Sequence, residues 1–104
     1  MYKTFMIAYD PTSPQINIFQ FLEFVRSNAF TYQFYAPHVG LVLIKSTADI
    51  YSINDSYRAY LAGEHVFIAE VFSHLTAGSL PRIVWDWINS ASPPPLIGPR
   101  NVQP

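Results

Sequence analysis

The sequence predicts an α+β domain of ferredoxin-like type, with a βαββαβ order over residues 1–90, a short C-terminal helix and an extended proline-rich tail over residues 91–104. Three observations predict it. Apolar runs of strand length are interleaved with two stretches that repeat at helical spacing, in the order of a split βαβ motif. The 104 residues include no cysteine, so a two-layer core has to form without disulfides or thiolate metal sites. Only 12% of residues are charged, half the chain is apolar and 16% is aromatic. Ordinary soluble domains carry about 25% charged residues, so this chain asks for more burial than one small monomer supplies.

The first strand is "TFMIAY", residues 4–9, short, apolar and flanked by polar residues. "INIFQFLEFVRSNA", residues 16–29, then changes period: Ile18, Phe21, Leu22, Val25 and Ala29 share one face of a helix, with Phe19 and Phe24 outside that stripe. Asn17 is its N-cap, with Gln20 three residues on. "TYQFYA" (31–36) and "GLVLIK" (40–45) are strands joined by Pro37, His38 and Val39 in a hairpin. A second helix starts at the cap Asp49, repeats through Ile50, Ile53, Tyr57, Tyr60 and Leu61, and stops at Gly63. "HVFIAEVFS" (65–73) is the fourth strand, and "LPRIVWDWINS" (80–90) a last helix with Pro81 in its first position and Val84, Trp87 and Ile88 on one side. The tail "SPPPLIGPRNVQP" cannot be helical; Leu96 and Ile97 are its side chains suited to a sheet edge or a second subunit.

In this fold two helices cover one sheet face. Phe5, Ile7 and Tyr9 point to one side and Met6 and Ala8 to the other, while Leu41, Val42, Leu43 and Ile44 are apolar on both. The second face therefore needs cover too, and a second copy of the chain provides it as a two-fold homodimer. Met6, Ala8, Tyr32, Phe34, Val42 and Ile44 are the expected interface. With six basic and seven acidic residues, the formal net charge of -1 gives no electrostatic support to binding a phosphate backbone. No apolar run approaches the roughly 18 residues of a bilayer span and the N-terminus lacks a signal-peptide pattern, so the expectation is a cytoplasmic protein without a membrane partner.

Asp10, at the end of the first strand, is the principal candidate for chemistry. Paired across a dimer axis, two Asp10 carboxylates would share a Mg²⁺ or Mn²⁺ and position water at a phosphodiester. The competing role is structural: an Asp before Pro11 ends the strand and accepts hydrogen bonds from the turn that follows. Tyr9, Ser13 and His38 surround the same loop and hairpin as candidate ligand-binding residues, although Ser13 also suits a cap and His38 a hairpin tip. His38, His65 and His74 lack metal-ligand spacing, and the four glycines form no phosphate loop. Tyr32, Phe34 and Tyr35 suit either base stacking, as for single-stranded nucleic acid or a nucleotide, or burial at an interface.

A strand ending in "AYD", a proline-containing loop, the hairpin and above all "SLPRIVWDWI" resemble a family of small bacterial ferredoxin-like proteins whose tryptophan-bearing last helix follows a Leu-Pro segment. That family is similar in fold to the small CRISPR-associated endonuclease-like subunit of the spacer-integration complex. The resemblance covers residues 3 to 90. It implies a prokaryotic defence or toxin–antitoxin setting, and for Asp10 the position of an aspartate assigned to divalent-metal binding. The loop "PTSPQ" is not basic and the hairpin "YAPHVG" has no arginine, departures that weigh against nuclease activity. The sequence therefore favours a non-catalytic dimeric binding module for nucleic acid, nucleotide or protein, with a metal-dependent nuclease as the alternative.

Overall fold

A computed structural model of the chain describes residues 2–90 and 101–102. The elements follow as β1 (Lys3–Tyr9), α1 (Ile18–Ser27), β2 (Gln33–His38), β3 (Leu41–Ser46), α2 (Ile50–Tyr60), β4 (Val66–Val71), a 3₁₀ turn (Ser73–Leu75), α3 (Arg82–Asn89) and β5 (Asn101–Val102). The sheet runs β4-β1-β3-β2 with every pair antiparallel, and β5 adds a short parallel strand on the outer edge of β2. Residues 91–100, with Leu96 and Ile97, lie outside the described residues.

Both long helices start where a side chain satisfies the first free amides. Asn17 accepts from Gln20 N at 3.0 Å, and Asp49 from Ser52 N at 2.9 Å. The Ser52 amide holds the Asp49 carboxyl below its usual range. Helix α1 stops at Ser27, two residues before Ala29, which is exposed rather than on the buried stripe. Asn28 instead joins the helices by donating to Ser56 Oγ at 2.7 Å. Phe24, outside the main stripe, finds a partner of its own: it stacks on Tyr60 at 4.2 Å and meets the edge of Tyr57 at 5.1 Å.

In the β2–β3 hairpin, β2 lies two residues later and β3 one residue later than the sequence indicates. Pro37 and His38 belong to β2, the turn is Val39–Gly40, and a register shift falls between Tyr35 and His38. Proline cannot donate to the ladder, and a bulge accommodates it. Gly40 takes φ +95, and a Cβ there would come within 3.3 Å of the Pro11 ring, so the turn and the loop after β1 fit together only with glycine. Pro81 sits one position earlier than expected, at the N-cap of α3, where no side chain caps the helix.

Helices α1 and α2 close one sheet face over a core of Phe5, Ile7, Tyr9, Phe21, Val25, Phe34, Val42, Ile44, Ile53, Tyr57 and Leu61. Phe34, Val42 and Ile44, expected at a dimer interface, are thereby buried inside the chain. The register explains this: Ile44 pairs with both Phe5 and Phe34, and Val42 pairs with Ile7, and cross-strand partners share a face. The other face is covered in part by α3. Its Val84, Trp87 and Ile88 pack on Tyr35 and Leu43, with Met6 and Val71 at the margin. The chain's own last helix thus takes part of the role expected of a second copy.

Candidate functional site

At the end of β1 the Asp10 carboxylate is exposed, and its Oδ1 accepts from Thr12 N at 2.9 Å and from Thr12 Oγ1 at 2.7 Å. Ser13 N closes the turn on Asp10 O at 3.4 Å. This is the hydrogen-bonding pattern by which Asp organises a turn. Those bonds hold its carboxyl below the usual range, first the Thr12 hydroxyl and then the Thr12 amide, with the His65 charge adding to them. Among the described residues, no three His, Cys, Asp or Glu side chains gather closely enough to hold a metal ion.

The expected ligand residues do not converge on it. Tyr9 is buried on the helix side, its ring 4.5 Å from that of Phe21, because β1 alternation places it with Phe5 and Ile7. Ser13 Oγ accepts from Gln15 N at 3.3 Å, a local turn rather than a helix cap. His38 stands exposed at the end of β2 beside Leu41. The base-stacking surface is likewise broken up: Phe34 lies in the helix-side core and Tyr35 under α3, leaving Tyr32, half-buried and stacked on Tyr2 at 4.2 Å.

A polar cluster that periodicity alone passes over sits beneath α3. Lys45 is only 1% exposed, and its Nζ donates to Ile88 O at 2.9 Å and Ser90 O at 2.7 Å while lying 5.4 Å from the Trp87 ring. The amine thus satisfies carbonyls at the C-terminal end of α3, where a helix favours a cation. Burial nevertheless lowers its pKa to about 8. Trp87 Nε1 donates to Gln33 Oε1 at 2.5 Å, and the Gln33 amide nitrogen has no acceptor among the described residues. The signal in the sequence was residue type at a fixed parity. Lys45 follows Leu41 and Leu43 at intervals of two, so an inward-facing strand position carries a lysine.

Helix α3 leaves one end of this face open. Cross-strand pairing aligns Phe67, Ala8, Leu41 and His38 in one row across β4, β1, β3 and β2, with Ala69 and Met6 in the next. Phe67 is 62% exposed, Val39 in the adjoining turn is exposed, and Ala8, Leu41 and Ala69 are half-buried. No family model matches the chain, and no curated protein or solved structure matches it either. No helix among the described residues is long and apolar enough to cross a membrane.

Proposed function

We propose that the chain is a non-catalytic binding module on a ferredoxin-like sheet, which pairs with a second copy through the open end of the sheet face. The row of Phe67, Ala8 and Leu41 carries this reading, since an apolar strip left open beside a well-packed helix is the surface that association would bury. Of the residues expected at the interface, Met6 and Ala8 keep that role, joined by Leu41, Phe67 and Ala69. A two-fold axis would set like against like, which suits the apolar stretch of Phe67, Ala8 and Leu41. Surface cations are sparse: Lys45 is buried and Arg26 is engaged by Glu23, which argues for a protein partner over a phosphate backbone. A place in a prokaryotic defence or toxin–antitoxin locus rests on the resemblance of "AYD" and "SLPRIVWDWI" alone.

Sedimentation equilibrium of the full chain at micromolar concentration is expected to give about twice the 11.8 kDa chain mass, and Phe67→Lys to return it to one. A wild-type monomer defeats the reading. The nuclease alternative stands on one observation, that Asp10 is exposed and ionised and so free to meet its symmetry mate.

A further inference from the structure

Among the described residues, three side chains bond the C-terminal end of α3. Lys45 Nζ, Trp87 Nε1 and the Thr4 hydroxyl, which donates to Ile88 O at 3.5 Å, all act on its last turn. The opposite end has no side-chain cap. It is reached through a segment that exposes Phe72 and Leu75 and contains Gly78 at φ +153, a conformation that other residues rarely adopt. Lifting α3 at its last turn would uncover Met6, Tyr35, Leu43 and Val71, continuous with the open row of Ala8, Leu41 and Ala69.

We propose that α3 is a displaceable cover over this face, latched at its C-terminal end by Lys45, and that protonation of the Lys45 amine loosens the latch. A neutral amine donates to both carbonyls at little desolvation cost. The ammonium also bonds them but gives up most of its water to do so, and recovers that water when α3 lifts. The depressed pKa follows from the same burial, so docking strengthens as pH rises from about 8 towards the ordinary 10.5. A cleft of about 200 Å³ beside the latch is also lined by Lys3 of β1, Glu70 of β4 and His74 of the 3₁₀ turn; the charged side chains of α3 itself, Arg82 and Asp86, are exposed, and the neighbouring Gln33 of β2 is neutral. That the cover regulates binding rests on the proposed use of the sheet face; that it moves does not.

Both tryptophans, Trp85 and Trp87, lie in α3, so tryptophan fluorescence reports the cover and far-ultraviolet circular dichroism reports the whole fold. In urea at pH 7 the fluorescence transition is expected to precede the dichroism transition. At pH 9 the gap should narrow, and in Lys45→Met it should be the same at both pH values. Running the titration at two protein concentrations separates movement of α3 from dissociation of a dimer. Coincident transitions of the wild type at pH 7 overturn the cover whatever the variant does, and a gap in Lys45→Met that still narrows with pH overturns the role of Lys45.

Discussion

The two faces of the sheet are finished in different ways. On the α1–α2 side Phe5, Ile7, Phe21, Val25, Val42, Ile44 and Ile53 are wholly buried and their neighbours are apolar or aromatic. On the α3 side a smaller apolar cluster is mixed with a lysine, a glutamine and a tryptophan N–H, and one end is left uncovered. The first face owes its stability to close packing, and burial there pushes the Tyr57 hydroxyl upward. Polar anchors make the second face specific in position but conditional on solvent, the property a surface needs if it is to be opened or shared.

Substitutions test the contrast. Phe21→Ala removes a fully buried ring packed on Tyr9 and Tyr57 and should lower the unfolding free energy in urea by about 3–5 kcal/mol, read in the dichroism transition of the whole fold. Trp87→Phe keeps most of the apolar contact but leaves the buried Gln33 oxygen without its donor, so a smaller loss of about 1–3 kcal/mol is expected, concentrated in the α3 transition reported by Trp85. An equal shift of both transitions there would erase the distinction between the faces. Phe67→Lys, on the open row, should change monomer stability by no more than about 0.5 kcal/mol while abolishing self-association. Asp10→Asn should leave the thermal midpoint unchanged, because the amide oxygen can still accept from Thr12. Metal-dependent cleavage of DNA or RNA by the wild type, lost in that variant, would restore the nuclease reading.

Much of the architecture was legible in the sequence. Period-2 and helical patterns locate four strands and three helices, and the caps Asn17 and Asp49 follow from residue type and spacing alone. Faces were harder to assign than elements. Met6 and Ala8 follow from alternation within β1, but which side of β3 joins which side of β1 depends on register, a non-local quantity, and so Phe34, Val42 and Ile44 were expected on the wrong face. Strand β2 runs two residues further than its apolar run indicates because a bulge lets Pro37 stay within it. Lys45 was passed over because it closes an apolar run, where a charge reads as the end of a strand. The turn around Asp10 was anticipated, because Asp followed by Pro carries a local mechanism.

The interior position of β1, between β4 and β3, has a consequence for assembly. It is synthesised before its two neighbours, β3 and β4, and its pairing with β4 joins Thr4 to Val71. The β2–β3 hairpin can close early from contacts near in sequence, but β1 must wait for it, and the other edge of β1 stays vacant until β4 follows. Helix α3 comes later still, so a growing chain presents the side later shielded by Trp87 for longer than the side closed by α1 and α2. That interval is when such a chain is most exposed to aggregation or to chaperone capture.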